Sequence, residues 1–265
     1  MELSFAKYHG ALNDFIIVNN VNGHITTEQI TKLIGLCDRR SGVGADGLLL
    51  MESSQNGYDY KMRFFNPDHT EAEFCGNGAR CLFKFAYEEG IVNIKGNFIA
   101  GDGPHEAAFY EDNIEIKMGR VHEIPLSATV LNEFPDAGLY DSGVPHLVLA
   151  VEDVDNADLF TLARRFRPNE VLQPNGVNVN IFSVYGDQVN VRTFERGVED
   201  ETMACGTGNV AVAYHILKND TKSRRELSLR TKGGTLTVAF NDGLEASPWL
   251  IGPAVKICNG SIEIS

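Results

Sequence analysis

Residues 71–81 read "EAEFCGNGARC", and residues 201–211 read "ETMACGTGNVA". Each stretch places a cysteine directly before a Gly-x-Gly turn and the start of an apolar run with helical spacing. A single such cysteine reads as a packed thiol, because cysteine is among the most buried residue types and most buried cysteines are inert. Two copies of the same unusual arrangement require a joint explanation.

The similarity extends outward from both cysteines. "MRFFNPDHTEAEFCGNG" (Met62 to Gly78) and "VRTFERGVEDETMACGTG" (Val191 to Gly208) each run Arg-x-Phe, a polar loop, then Glu four residues before Cys-Gly-x-Gly. Downstream, "GDGPHEAAFYEDNIEIKMG" (Gly101 to Gly119) parallels "GGTLTVAFNDGLEASPWLIG" (Gly233 to Gly252) as strand, Asp turn and strand between glycines. Upstream, "HGALNDFIIVNN" (from His9) resembles "DSGVPHLVLAVED" (from Asp141), and "SGVGADGLLLM" (from Ser41) resembles "NGVNVNIFSV" (from Asn175). Landmarks recurring in one order indicate an internal duplication with a period too long for a solenoid.

Short apolar and β-branched runs such as "DFIIV", "NIEIKM", "HLVLAV", "VNVNIFSV" and "QVNVRTF" are bounded by Gly, Asn, Asp and Pro, as strands are. After Cys75, the residues Ala79, Leu82, Phe83, Ala86 and Tyr87 recur at helical spacing; after Cys205, Val210, Ala213, Tyr214 and Leu217 do the same. The expectation is an α+β fold of two pseudo-symmetric lobes, each a mainly antiparallel sheet or barrel wrapped round one central helix. The lobes are expected at 1–119, completed by 253–265, and at 120–252, with the active site in the cleft between them.

Composition narrows the function. The 265 residues carry 36 Asp plus Glu against 23 Lys plus Arg, a formal charge of −13 with no basic block, which argues against nucleic acid and anionic membranes. "MELSFAKYHG" lacks the basic and apolar regions of an export signal, and no apolar run reaches bilayer length, so a cytoplasmic enzyme of small molecules is expected. In that reducing setting the five cysteines, at 37, 75, 81, 205 and 258, are read as thiols. Cys75 and Cys81 lack zinc-ligand spacing, so no metal is expected. Cys37, Cys81 and Cys258 are read as packing residues.

A thiol at a helix N-terminus sits in a positive partial charge that favours the thiolate, and glycines let ligand oxygens approach the unsatisfied N–H groups. Two such helix ends suit inversion at an α-carbon: one base removes the α-proton from one face, and a protonated partner delivers a proton to the other. A cysteine hydrolase would instead need one thiol with a histidine and an oxyanion hole.

With these motifs in hand, the sequence resembles the diaminopimelate epimerase family over nearly its whole length. "KYHGALNDFIIV", "CDRRSGVGADGLLL", "FFNPDHTEAEFCGNGARC", "GVPHLVLAV", "GVNVNIF" and "FERGVEDETMACGTG" match that family's blocks in order. The resemblance implies a two-lobed fold, a homodimer, and cofactor-independent conversion of LL- to meso-diaminopimelate for lysine and cell-wall synthesis. It also implies Cys75 and Cys205 as the acid/base thiols, with His146 and Glu195 supporting them and the substrate ammonium. Gly76 with Asn77, and Gly206 with Thr207, would hold the α-carboxylate. Asn13, Asn66, Asn178 and Arg196 match substrate-binding positions, the arginine offering its fork to the distal carboxylate. Val144 stands where many members have Asn, and one extra residue separates Glu195 from Cys205. The alternatives are a racemase of another amino acid on the same scaffold, a pyridoxal phosphate enzyme, for which no lysine is identifiably placed, and a non-catalytic amino-acid binder or thiol redox sensor.

Overall fold

The computed structural model describes residues 2–55, 57–167, 176–221 and 223–263. Asn175, which opens one of the repeated stretches, lies outside them. The chain divides into two compact units, Met1–Ile116 with Gly252–Ser265 and Lys117–Ile251.

In the first unit, β1 (Glu2–Gly10) and β2 (Asn13–Asn20) form an antiparallel hairpin, and α1 (Thr27–Gly35) crosses to β3 (Gly47–Glu52), parallel to β2. Next, β4 (Tyr60–Phe65) runs antiparallel to β3 and pairs with the short β5 (Glu71–Ala72). After α2 (Gly76–Glu88) the chain adds β6 (Lys95–Ala100) parallel to β4, then β7 (Gly103–Tyr110) and β8 (Asn113–Lys117) as a meander.

The second unit begins with β9 (His122–Glu123) and α3 (Ala128–Glu133), then repeats the same series. The β10 (Gly138–Asp141) and β11 (Pro145–Ala150) hairpin is followed by α4 (Leu159–Phe166) and by β12 (Asn178–Tyr185), parallel to β11. Antiparallel β13 (Gln188–Glu195) pairs with β14 (Asp200–Thr202), and α5 (Gly206–Lys218) leads to β15 (Glu226–Thr231), parallel to β13. A meander of β16 (Gly234–Ala239) and β17 (Trp249–Gly252) ends it. The last strand, β18 (Val255–Glu263), pairs with β1, as β9 pairs with β10. This α+β fold is mainly antiparallel, as expected, with two parallel pairings in each unit among the described residues; each arises because a helix intervenes and returns the chain in the same direction.

Strand alternation builds two layers in each unit. Ile16, Val18, Leu48, Leu50 and Phe65 pack with Ile30, Leu33 and Ile34 of α1. Leu147, Leu149, Val179, Ile181 and Phe194 pack with Leu159, Ala163 and Phe166 of α4. The opposite sheet faces meet α2 and α5, which are buried along most of their length. Tyr87, expected on the buried stripe of α2, is 44% exposed because it belongs to the last turn, beyond the sheet's cover. Cys258, expected in the core, is exposed: β18 lies at the outside of β1 and turns both its faces largely to solvent.

Candidate active site

Both cysteines of the repeat are N-caps. Cys75 caps α2 in extended conformation (φ −146°, ψ 113°), and its Sγ accepts from the Gly78 amide at 3.5 Å. Cys205 is the N-cap of α5, also in extended conformation (φ −109°, ψ 115°), without a side-chain capping bond. The backbone N–H groups of the first helical turn have no intrahelical acceptor and point past the thiol. Gly76 and Gly206, next to the thiols, are buried.

In each unit a side chain from the second strand bonds the residue two after the cysteine. In the first, Asn77 donates through Nδ2 to Asn13 Oδ1 at 3.2 Å, and Cys75 Sγ lies 4.0 Å from the same oxygen. Asn13 is held in turn by Asp46, whose carboxylate accepts from its Nδ2 at 2.7 Å. In the second, His146 Nε2 meets Thr207 Oγ1 at 2.9 Å, and Thr207 Oγ1 lies 3.5 Å from Cys205 Sγ. Ser142 fastens the same turn by donating to the Thr207 carbonyl at 2.9 Å. The hairpin bearing Asn13 is tight enough to force Ala11 and Leu12 into left-handed conformation, with φ of 54° and 61°.

The registers identify which residues correspond. Leu49 opposes Phe64 as Asn180 opposes Thr193, and Phe15 pairs with Gly47 as His146 pairs with Asn178. Beneath the α2 N-terminus the layer is apolar: Phe15 and Phe64 stack edge to face at 5.8 Å, and Gly78 approaches Leu49. Beneath the α5 N-terminus it is polar and buried: Asn180 donates to the Leu147 carbonyl at 3.0 Å and approaches His146 Nδ1 at 3.1 Å, while Thr193 donates to Asn180 Oδ1 at 2.9 Å. Burial pushes His146 down to about 3, with the Arg196 charge acting in the same direction, so the ring is neutral at physiological pH.

The remaining site residues are distributed unevenly. Glu195 faces Thr202 and Cys205; burial raises its carboxyl above the usual range while those two contacts oppose the rise. Asn178 approaches His146 Nε2 at 3.4 Å and accepts the Arg196 backbone N–H at 2.7 Å, which anchors the Glu195–Arg196 turn. Arg196 Nη1 reaches the Gly176 carbonyl at 3.5 Å. Asn66 bonds within the turn after β4, its Nδ2 donating to Thr70 Oγ1 at 3.0 Å. Among the described residues no group of three or more His, Cys, Asp and Glu side chains is arranged to hold a metal, and no helix is long and apolar enough to cross a membrane.

Three residues escaped the sequence reading. Arg80 is fully buried and donates to Asn77 Oδ1 at 2.9 Å, to the Pro253 carbonyl at 3.3 Å and to the Gly76 carbonyl at 3.4 Å. The others are Asn180 and Thr193. Only the shared "Arg-x-Phe" frame, with Thr193 where the first copy has Phe64, hinted that the second copy had a polar floor. Cys37 and Cys81 are buried, and burial raises each to about 12, which keeps both thiols protonated.

The sequence model of the diaminopimelate epimerase family matches this chain twice, over residues 5–124 and 138–257. The chain belongs to the diaminopimelate epimerase family. Among curated members, diaminopimelate epimerase of Aquifex aeolicus is 37% identical over 98% of both chains. That of Flavobacterium psychrophilum is also 37% identical, over 94% of this chain and 95% of its own. The enzyme of the archaeon Archaeoglobus fulgidus is 35% identical over 100% and 98%. Solved structures share the fold at much lower identity. A phenazine biosynthesis protein of the PhzF family from Bacillus anthracis superimposes with TM-score 0.74 at 15% identity, covering both chains completely. A probable proline racemase from Agrobacterium radiobacter gives 0.67 at 15%, covering 99% of this chain and 93% of its own. The family is thus one of isomerases, and the two matches on this chain are the two copies read from its repeats.

Proposed function

We propose that this protein interconverts LL- and meso-2,6-diaminopimelate without a cofactor, by two-base proton transfer at one α-carbon. One of Cys75 and Cys205, as thiolate, removes the α-proton, and the other, as thiol, supplies a proton to the opposite face. The N–H groups at Gly76 and Asn77, and at Gly206 and Thr207, take the α-carboxylate and stabilise the negative charge that grows on it as the proton leaves. Asn13, Asn66, Asn178, Glu195 and Arg196 bind the rest of the substrate, and His146 supports Cys205 through Thr207. The observation that carries this reading is the paired N-cap: two cysteines at equivalent positions of duplicated units, each leading a buried helix with a glycine-rich first turn. The same reading makes the working protein a homodimer in a reducing compartment such as the cytoplasm.

The test is proton NMR of LL-diaminopimelate in D₂O with reduced protein, beside the Cys75→Ala and Cys205→Ala variants. Loss of the α-proton signal and appearance of meso product with wild type alone is expected. No exchange by folded, reduced wild type would remove diaminopimelate as the substrate, and the assay would move to other amino acids, for which Val144 in the β10–β11 turn supplies the motive.

A further inference from the structure

The floor beneath Cys205 differs from that beneath Cys75 at three corresponding positions, His146 for Phe15, Asn180 for Leu49 and Thr193 for Phe64. The polar version has a determinate proton order. The Leu147 carbonyl can only accept, so the Asn180 group 3.0 Å from it is the amide nitrogen, and Asn180 Oδ1 faces the Thr193 hydroxyl at 2.9 Å. The second hydrogen of that nitrogen points at His146 Nδ1, 3.1 Å away, which is therefore the unprotonated atom of the neutral ring. The proton lies on Nε2 and is donated to Thr207 Oγ1 at 2.9 Å. With its oxygen already accepting, the Thr207 hydroxyl has its own hydrogen left for Cys205 Sγ at 3.5 Å. Asn178 Nδ2 lies 3.4 Å from Nε2, farther than Thr207 Oγ1 at 2.9 Å, and does not reverse this order.

We infer that Asn180, held by Thr193, is a positioning residue that fixes His146 in its Nε2–H form and thereby turns the Thr207 hydroxyl toward Cys205 as a hydrogen-bond donor to the thiolate. This rests on the reading of Cys205 as an acid/base group. Cys75 has no counterpart of the device, since Leu49 and Phe64 offer it no polar atom, so the two thiols are tuned by different means. Other groups that act on Cys205 include the Glu195 carboxyl from β13 and the N-terminus of α5, with Arg196 near His146.

The variant that tests this is Asn180→Leu, which installs the residue found at the corresponding position of the first unit; Thr193→Val, of similar shape, serves if that variant does not fold. Two-bond ¹H–¹⁵N spectra of ¹⁵N-histidine protein, with His146→Gln for assignment, should show His146 as the Nε2–H tautomer in wild type and a mixture in the variants. The pH midpoint for alkylation of Cys205, read by peptide mass spectrometry, should rise by about 0.5–1 pH unit, as expected for losing one hydrogen bond to the charged form. The midpoint for Cys75 should stay in place, and Thr193→Ser should restore the wild-type value. An Nδ1–H tautomer in wild type, or a Cys205 midpoint unmoved in a folded variant, overturns the inference. Both readouts are independent of turnover: if they shift as expected and wild type still does not exchange the α-proton of diaminopimelate, the positioning stands and the catalytic reading falls.

Discussion

Arg192 grips Glu201 with both arms of its guanidinium, Nε at 2.7 Å and Nη2 at 2.9 Å, across the β13–β14 pair. Arg63 and Glu71 make the same fork in the first unit, at 2.8 and 2.9 Å. These are the arginine of each "Arg-x-Phe" and the glutamate four residues before each cysteine, so the ion pair ties the loop ahead of each N-cap to the sheet. The two copies are not equivalent in energy. The Glu201 side chain is 6% exposed and is also reached by Lys232 at 2.8 Å, whereas Glu71 is 46% exposed. Burial works against the Glu201 charge, but Arg192 and Lys232 outweigh it and hold the carboxyl below the usual range.

Glu201→Ala is therefore expected to destabilise the protein by about 2–3 kcal/mol, because the largely covered Arg192 loses its carboxylate and keeps only the Val154 and Ala157 carbonyls as acceptors. Glu71→Ala should cost about 0.2–1 kcal/mol. Urea denaturation of both variants at neutral pH checks the contrast; equal losses would show that the burial difference does not govern these pairs.

The two helical glycines of the repeat should also part company. At Gly78 an added Cβ would meet Leu49 Cδ2 at 3.2 Å and Met62 Cε at 3.5 Å, ends of flexible side chains. Gly78→Ala should therefore stay within about 1 kcal/mol of wild type, helix propensity offsetting the crowding. At Gly208 the Cβ would meet Asn180 Oδ1 at 2.4 Å, Cys205 Cβ at 3.3 Å and Thr193 Oγ1 at 3.3 Å. Displacing that amide strands buried polar groups, so Gly208→Ala should cost about 2–4 kcal/mol and lower turnover at least about tenfold. Denaturation and the D₂O exchange assay measure the two losses.

His146 gives a pH signature. Its folded value, about 3, lies below the unfolded value of about 6.5. As pH falls through 6.5 the unfolded chain binds a proton that the folded protein refuses, so stability present at neutral pH is lost between about 6.5 and 3, at up to about 1.4 kcal/mol per pH unit. His215, also lowered by burial, adds to the loss in the same direction. Relative to wild type, His146→Gln should recover about 2 kcal/mol of the stability difference between pH 7 and pH 5. Denaturation curves at the two values decide it, and an unchanged difference would mean that His146 takes up its proton while folded.

The repeated Cys-Gly-x-Gly blocks, helical spacing after each cysteine, and strands bounded by turn residues are local in the chain, and the α+β two-unit architecture and the family follow from them. These signals survive in one dimension because cap, turn and period are set by neighbours within a few residues. The polar floor under Cys205 is of another kind. In "VNVNIF" nothing local tells which asparagines face α5 and which partner each will find. That was decided when β12 aligned in parallel beside β11, placing Asn180 against the Leu147 carbonyl and His146, and when β13 brought Thr193 to its other side. Arg80 is similar: its place on α2 is periodic, but its burial depends on the Pro253 carbonyl, 173 residues away. Cys258 differs in the opposite sense, a residue read as packing that is left exposed on the outside of β1. Residue chemistry and short-range geometry thus determined where the thiols would stand, while partners brought together from distant strands decided what stands beneath each of them, because hydrogen-bond pairing and burial are properties of assembled neighbours rather than of sequence order.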